Sequence, residues 1–346
     1  MINFQRVETK FFPEHTHFRP RTPMQQIQMA FIFVNGGMGD YICWIPAIEW
    51  LMSETPWIRG TLVIPKYFRE LAEYWITNPE WKFIDYKETF NNETFNNMAF
   101  RGPIELPRES LNATGAHLLT CGWVYFTNRE KAPEGWDRYP RFKPEDLAKV
   151  ELPAEAKNLG RYAVVTIGQT TNSRKSPPGA WNPVIEHLRD RGLTPVFLGR
   201  SVMETGNANN IRTQFGAETR IDLGVNLLDK TSLIQAAAIM QGAEMVIGHD
   251  NGLLHLAGCT ETPIIFGYNI ASPEHRRPRR TKGEIYDVFL TESELACTFC
   301  QSYNNFLIGQ NYRECFYGDL VCMKRLFEDG TRRWKERIDE CLSART

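Results

Sequence analysis

Short apolar runs alternate with helical patterns along most of this chain, and that alternation limits the possible folds more than any other feature. In the first half, strands are predicted at 30–34, 61–64 and 82–86, with a further one proposed at 117–126. After residue 160 the pattern restarts, and the strands predicted there are 162–168, 195–199, 220–224, 244–248 and 263–269. Apolar strands separated by helices form parallel sheets covered on both faces, because each parallel crossover needs a connecting segment such as a helix. The sequence therefore predicts an α/β fold.

The length and a break in the pattern predict two domains. The 346 residues exceed the roughly 150 of one typical domain. Residues 127–160 are rich in Pro, Glu and Lys and have no sustained period, which is typical of a boundary. The predicted organisation is an N-terminal arm, two Rossmann-like domains and a C-terminal helix that braces the first domain: 1–28, 29–155, 156–323 and 324–346. Two such domains create a cleft between the carboxyl ends of their strands, where ligands bind.

Charge and composition exclude several classes of protein. The chain carries 40 basic and 41 acidic residues, and the resulting formal charge of −1 indicates no particular partner. No apolar run reaches the roughly 18 residues of a membrane span, and the N-terminus lacks a secretory signal pattern. We expect a soluble cytoplasmic protein whose eight cysteines are reduced or metal-bound, because disulfides are uncommon in the cytosol. The oligomeric state is not predicted.

The first predicted strand runs into a glycine-rich turn, GGMGDY, before a helix begins. Gly37 and Gly39 permit a tight turn and the close approach of another molecule, and Asp40 stands where the helix starts. A dinucleotide site is disfavoured, because the turn lacks a complete G-x-G-x-x-G and Lys66 follows the next strand where a ribose-binding acid is expected. Two interpretations of Asp40 stay open: a helix cap, or a carboxylate that acts on a ligand.

The segment GHDNGLLHLAG in the second half places another group of polar residues after a strand. Asp250 ends the strand, Gly252 keeps the backbone bare, and unpaired N–H groups at the helix that starts there suit a diphosphate. His255 follows Asn251 by four residues, so the two share one helix face. The alternative is that Asp250 is a cap and His255 a core histidine bonded to the backbone.

Four segments in order resemble glycosyltransferase family 9, the ADP-heptose:lipopolysaccharide heptosyltransferases. They are GDYICWIPAIEWL, GQTTNSRKSPPGAWNPVIEHL, DLGVNLLDKTSLIQAAAIMQGAEMVIG and HDNGLLHLAG followed by TPIIFG. Together they cover residues from about 30 to 270. The resemblance implies a GT-B fold, in which the first domain holds the acceptor and the second holds the sugar nucleotide.

The resemblance also implies roles for individual residues in an inverting transfer. Asp40 matches the catalytic base, displayed on a turn where Gly37 and Gly39 leave room for an acceptor hydroxyl. The residues that match the donor site are Thr170, Thr171, Lys175, Asp250, Asn251, Gly252 and His255. No cofactor is then required for catalysis, because cations and N–H groups hold the departing diphosphate.

Three positions depart from the family pattern. Asn251 replaces the usual Ser or Thr, and the loop NSRKSPPGAW leaves the phosphate-binding cation undecided between Arg174 and Lys175. Asp222 stands where an acid could meet the nucleotide ribose, although an ordinary turn aspartate is the stronger interpretation.

Four cysteines near the C-terminus are spaced C-x2-C-x14-C-x6-C, at Cys297, Cys300, Cys315 and Cys322. Four thiolates suit a tetrahedral structural site for zinc or iron. Some transferases of the resembled family carry a cysteine-ligated iron, and unlinked core thiols are the alternative.

The run HRRPRRTKG, residues 275–283, concentrates four arginines and a lysine after a strand. A solvated loop is the default interpretation, and a binding surface for a polyanion is the alternative.

The leading hypothesis from these motifs is a transferase that moves the sugar of ADP-heptose to a glycan acceptor in lipopolysaccharide or surface glycan synthesis. The alternatives are a DNA-modifying glycosyltransferase that acts on hydroxymethylated bases, and a catalytically silent protein that binds sugar nucleotides.

Overall fold

A computed structural model describes most of the chain, and the ranges described are 28–32, 37–54, 59–79, 81–85, 117–127, 131–168, 172–204, 212–214, 218–303, 315 and 318–345. The chain divides into two compact units. Unit 1 comprises Met1–Arg108 with Leu118–Pro140, and unit 2 comprises Glu109–His117 with Arg141–Thr346. The predicted N-terminal arm lies outside the described residues except for Gln28.

The division between the units lies at Pro140 and Arg141, inside the stretch 127–160 that lacks periodicity and before the proposed domain limit at residue 155. Residues 141–155 belong to unit 2. Phe142 donates a backbone hydrogen bond to the Cys259 carbonyl at 3.0 Å, and Arg141 pairs with Glu261 at 2.8 Å. A segment without periodicity is thus held to unit 2 by polar contacts that no pattern of apolar residues reveals.

Unit 1 contains a parallel sheet with strand order β1-β2-β3 among its described residues. Its elements are β1 (Gln28–Ile32), α1 (Met38–Glu54), β2 (Arg59–Ile64), α2 (Lys66–Trp75), β3 (Trp81–Asp85) and α3 (Leu118–Thr127). Helices follow β1 and β2, as the alternation predicts, because parallel neighbours require crossovers.

The prediction of a strand at 117–126 is wrong, since α3 is a helix that packs on α1. Trp123 of α3 lies 5.4 Å from Trp50 of α1 between ring centroids. A Cβ on Gly122 would approach the Cys43 carbonyl oxygen to 3.2 Å and the Trp44 ring to 2.8 Å, so this glycine permits the close helix contact. An apolar run of this length fits a buried helix as well as a buried strand.

Unit 2 contains the larger sheet. Its helices and strands are α4 (Pro144–Leu147), β4 (Tyr162–Thr166), α5 (Asn182–Asp190), β5 (Thr194–Phe197), β6 (Val202–Glu204), β7 (Arg212–Gln214), β8 (Val225–Asn226), α6 (Leu233–Gln241), β9 (Met245–His249), α7 (Gly252–Ala257), β10 (Ile264–Gly267), α8 (Pro273–Arg276), β11 (Ile285–Val288), α9 (Cys300–Tyr303), α10 (Val321–Leu326) and α11 (Glu328–Ser343). Single 3-10 turns occur at Ala154–Ala156, Asn172–Arg174 and Ile221–Leu223. The predicted strand at 220–224 is wrong, because this stretch is mainly a 3-10 turn before β8. The short strands β6 and β7 form an antiparallel pair.

The order of strands in the six-stranded sheet fixes where a ligand can bind in unit 2. The order is β11-β10-β9-β4-β5-β8, and every neighbouring pair is parallel. The chain moves outward from β4 through β5 to β8, then returns to the other side of β4 and moves outward from β9. The direction of winding therefore reverses between β4 and β9. In open parallel sheets, ligands bind at the carboxyl ends of the strands beside such a reversal.

The C-terminal helix α11 packs within unit 2. Trp334 is buried, and its ring lies 4.6 Å from that of Trp181, which precedes α5. Asp339 accepts hydrogen bonds from His187 at 2.9 Å and from Arg191 at 2.7 Å. The predicted role of this helix as a brace for the first domain stays a prediction. No helix in the described ranges is long and apolar enough to cross a lipid bilayer.

Candidate functional site

The carboxyl ends of β4 and β9 carry a buried group of charged side chains. Asp250 follows β9 directly, and its carboxylate lies 3.4 Å from the Arg174 guanidinium and 3.4 Å from Nε2 of His255. The side chains of Asp250 and His255 are each 3% exposed, and that of Arg174 is 14% exposed. The loop after β4 supplies Arg174 and the first helix after β9 supplies His255, and both side chains contact the Asp250 carboxylate.

The surroundings of Asp250 keep it ionised. Burial alone would raise its pKa, but the Arg174 charge, the hydrogen bond from His255 and the charge of Arg276 hold the pKa well below its usual range. Burial also lowers the pKa of the neighbouring His249 to about 4. A permanent anion, held by cations and beside a neutral imidazole, is suited to fixing the loops around it. It is not suited to taking up a proton.

Asn251 caps α7 and ties it to β4. Its Oδ1 accepts from the N–H groups of Leu253 and Leu254 at 2.9 and 3.1 Å, and its Nδ2 donates to the Thr166 carbonyl at 2.7 Å. Two N–H groups expected to receive a diphosphate are therefore already satisfied by the cap. The Asn251 amide places its acceptor and its donor on separate atoms, so it caps α7 through Oδ1 while it contacts β4 through Nδ2. The His255 ring contacts the Asp250 carboxylate.

The two cations of the loop after β4, Arg174 and Lys175, have different surroundings. Arg174 is engaged with Asp250. Lys175 is half-buried and forms no ion pair with any carboxylate in the described ranges. Lys175 is therefore the stronger candidate for the phosphate-binding cation, which the sequence left undecided. Thr170 and Thr171 lie outside the described residues.

Asp222 lies on the surface and pairs with Arg220 at 3.0 Å. The hydrogen bond from Arg220 lowers the pKa of Asp222. This geometry fits the ordinary turn aspartate, and Asp222 has no described contact with the group around Asp250. Gly252 begins α7 and is half-buried beside that group.

In unit 1, Asp40 lies in the first turn of α1 and is half-buried. Its Oδ2 accepts the N–H of Gly37 at 2.8 Å, and the Gly37 carbonyl accepts from Tyr41 at 3.2 Å. Asp40 therefore caps its own helix. A carboxylate has about four lone-pair positions, so this bond and the role of a base are compatible. Gly37 is exposed and Gly39 is buried in the helix.

The four C-terminal cysteines are only partly assembled. No disulfide joins any of the eight cysteines, all of which lie within the described ranges. Burial raises the pKa of Cys322 to about 11 and that of Cys297 above its usual value, and Cys315 adds to both shifts. Yet no group of three or more Cys, His, Asp or Glu side chains in the described ranges converges closely enough to hold an ion. The donor types suit a metal, although the described side chains do not form a closed site.

Most cations of the run at 275–283 have internal partners. Arg277 pairs with Asp287 at 3.4 Å and Lys282 with Glu261 at 2.9 Å, while Arg280 donates to the Thr262 carbonyl at 2.9 Å. Arg276 is buried near Asp250. Arg279 is exposed. These contacts stabilise unit 2 and leave little of the positive charge of the run available to bind a polyanion.

Sequence reasoning missed several residues of the site. Arg276 is one, because the sequence placed it only in a basic run, whereas the short helix that starts at the Ser-Pro pair 272–273 brings it near Asp250. Gly248 is another: a Cβ there would overlap the Thr166 carbonyl oxygen, so glycine is needed where β4 and β9 meet. Asn269 is a third, and no local sequence pattern points to it.

The described elements form a parallel α/β architecture, and solved heptosyltransferase structures show that the fold is of the GT-B type. TibC, a dodecameric iron-containing heptosyltransferase solved with ADP-D-β-D-heptose, aligns with a TM-score of 0.62 at 17% identity over 93% of this chain and 77% of its own. An E. coli ADP-heptose lipopolysaccharide heptosyltransferase II aligns with a TM-score of 0.55 at 14% identity over 92% and 99%. The predicted fold class is confirmed.

The sequence comparisons find the same resemblance as the motifs. Residues 137–304 match the model of glycosyltransferase family 9 (heptosyltransferase). The lipooligosaccharide heptosyltransferase 2 of Haemophilus influenzae is 28% identical over 172 residues, which are 46% of this chain and 48% of the relative. The aligned part thus spans about half of that relative. The resemblance read from the four motifs is confirmed.

Proposed function

We propose that this protein is an inverting glycosyltransferase that moves a heptose from ADP-heptose to a hydroxyl of a glycan acceptor, in lipopolysaccharide or surface glycan synthesis. The observation that carries the proposal is the buried Arg174–Asp250–His255 group at the reversal of winding in a family 9 domain. The loop it fixes carries Lys175, a cation without a described carboxylate partner.

In this proposal the donor diphosphate is held by unit 2. Lys175 neutralises the charge that develops on the leaving diphosphate, and Arg174 holds the loop by its bond to Asp250. Thr170, Thr171 and Gly252 supply further donor contacts, as the family motifs suggest. The choice of ADP-heptose is supported by the TibC structure, which contains that sugar nucleotide.

The acceptor hydroxyl loses its proton to Asp40 of unit 1. As the bond from the anomeric carbon to the diphosphate oxygen breaks, the acceptor oxygen bonds to that carbon from the opposite face, and the Asp40 carboxylate takes the acceptor proton. The capping bond from Gly37 fixes one carboxylate oxygen and so orients the other. No step needs a metal, because the cationic loop stabilises the leaving group.

A DNA acceptor is not proposed. That alternative depended on the basic run, and most of its cations have internal partners. A silent sugar-nucleotide-binding protein remains the competing hypothesis, and it differs from the proposal only in the absence of transfer.

We also propose that the cysteine quartet holds a structural iron or zinc. The type of its four donors supports this, as does the description of TibC as iron-containing. Cys297, Cys300, Cys315 and Cys322 would hold the ion, which would stabilise the C-terminal part of unit 2 and supply no chemistry to transfer. We propose a cytoplasmic location as well, as expected from the sequence.

Incubation with a panel of labelled sugar nucleotides tests the reaction. We expect slow hydrolysis of ADP-heptose and its transfer to a lipopolysaccharide core acceptor, with inversion visible by NMR of the product. Calorimetric titration with ADP, UDP and GDP should show that ADP binds tightest. If no nucleoside diphosphate binds at millimolar concentration, the proposal is wrong; binding without transfer would favour the silent protein.

A further inference from the structure

Asn269 joins two parts of unit 2 that the proposed function treats separately, the loop that carries Lys175 and the cysteine quartet. It follows β10 by two residues and is 3% exposed. Its Nδ2 donates to the Ser173 carbonyl at 2.8 Å and lies 3.7 Å from Sγ of Cys322. The amide orientation is determined, because the Ser173 carbonyl can only accept.

The backbone of Asn269 reaches the cysteines as well. Its carbonyl accepts from the N–H of Phe299 at 2.9 Å. Phe299 lies between Cys297 and Cys300 and has a φ of +54°, a conformation that non-glycine residues seldom adopt. One residue thus holds the C-x-x-C turn through its main chain and Cys322 through its side chain.

The same amide fixes the start of the cationic loop. Ser173 is 1% exposed, so its carbonyl depends on a protein donor for its hydrogen bond. Arg174 and Lys175 follow immediately. A shift of the Asn269 side chain would therefore move the backbone that carries Lys175, while Arg174 stays bound to Asp250.

We infer that Asn269 is a positioning residue that couples the cysteine quartet to nucleotide binding. A change at Cys322, by substitution or by ligation of its sulfur, alters the position of the Asn269 amide and hence that of Lys175, although no cysteine contacts the nucleotide. The inference rests on the proposed donor site. Because coupling between two sites is reciprocal, a bound nucleotide must also affect Cys322.

A double-mutant cycle tests the coupling, with the tightest-binding of ADP, UDP and GDP as the probe. Asn269→Asp should raise its Kd about tenfold, because the charged oxygen repels the Ser173 carbonyl. Cys322→Ala should raise it about threefold, as expected for a weaker, indirect contact. In the double variant the Kd should rise by less than the product of the two single increases, because both substitutions disrupt the same contact between Asn269 and Cys322. Cys341→Ala, which removes a thiol of α11 that is 0% exposed, is the matched control and should leave the Kd unchanged.

A second measurement distinguishes positioning from general loosening of the fold. The nucleotide should slow alkylation of Cys322, followed by mass spectrometry, in wild type but not in Asn269→Asp. Thermal unfolding of each variant reports its fold, and Asn269→Ser replaces Asn269→Asp if that variant does not fold. Wild-type affinity in both single variants, or effects that multiply in the double variant, would overturn the coupling and leave the proposed function standing. If no nucleotide binds wild type, both are wrong.

Discussion

A single substitution can separate the proposed role of Asp40 as a general base from its role as a helix cap. In Asp40→Asn the amide oxygen still accepts from Gly37, so the helix start is kept, but the base is lost. We expect transfer to fall by about 10²-fold or more, the usual contribution of a general base, with the Kd for ADP unchanged. Turnover would be measured with ADP-heptose and affinity by calorimetry.

A surface carboxylate of the same unit is the control for Asp40. Glu73→Gln removes an exposed charge of α2 that pairs with Arg69, and it should keep wild-type turnover. Near-normal transfer by a folded Asp40→Asn protein would show that another group takes the proton.

Arg174 and Lys175 are neighbours in sequence with different expected effects. Lys175→Ala should raise the Kd for ADP about 10- to 100-fold, because a charge-assisted contact is lost, and should leave stability unchanged. Arg174→Ala should lower the free energy of unfolding by about 3 to 5 kcal/mol, since it leaves Asp250 buried without its partner. Calorimetry and urea unfolding measure the two quantities.

Lys230 provides the matched control for these changes, because it is a surface lysine of unit 2 that pairs with Glu155. Lys230→Ala should alter neither quantity appreciably. The division of roles would be wrong if Lys175→Ala destabilised the fold while Arg174→Ala only weakened ADP binding.

At the level of the elements, the junction of β9 and α7 should respond to acid. The pKa of Asp250 is lowered in the folded protein from an ordinary value of 3.8, so its stabilising effect is complete above that value. The effect is lost as the pH falls through 3.8 towards the lower folded pKa, because protonation then favours the unfolded chain. In this window the free energy of unfolding should fall by up to about 1.4 kcal/mol per pH unit from this group.

The comparison of wild type with Asp250→Asn isolates that contribution. The variant should be less stable at pH 7 and should have a shallower pH dependence below 3.8. Urea unfolding at several pH values provides the measurement. Equal slopes for the two proteins would mean that Asp250 does not carry this charge in the folded state.

At the scale of the whole molecule, we expect a metal bound by the cysteine quartet to stabilise the C-terminal part of unit 2. Protein purified without chelator should contain about one iron or zinc per chain, and Cys300→Ser should lower both metal content and Tm. Elemental analysis and thermal unfolding measure these quantities, and Cys259→Ser, outside the quartet, is the control. Metal-free wild type with unchanged stability would exclude a structural metal.

Much of the architecture was predictable because it depends on patterns that are local in sequence. The alternation of apolar strands and helices predicted the parallel α/β class, and four ordered motifs predicted the resemblance to glycosyltransferase family 9. The run at 117–126 shows the limit of such patterns. Its apolar residues fit a buried strand or a buried helix, and packing against α1 decided for the helix.

The sequence by itself determined which residue types stand at the carboxyl ends of the strands: a carboxylate at 250, two cations at 174 and 175, and a capping residue at 251. Only the tertiary structure decided which of them meet. Arg174 reaches Asp250, and Asn269 meets Ser173 and Cys322 across 96 and 53 residues of sequence. No periodicity encodes such contacts, because they arise where the reversal of winding places β4 beside β9 and where buried donors meet buried acceptors that are distant in sequence.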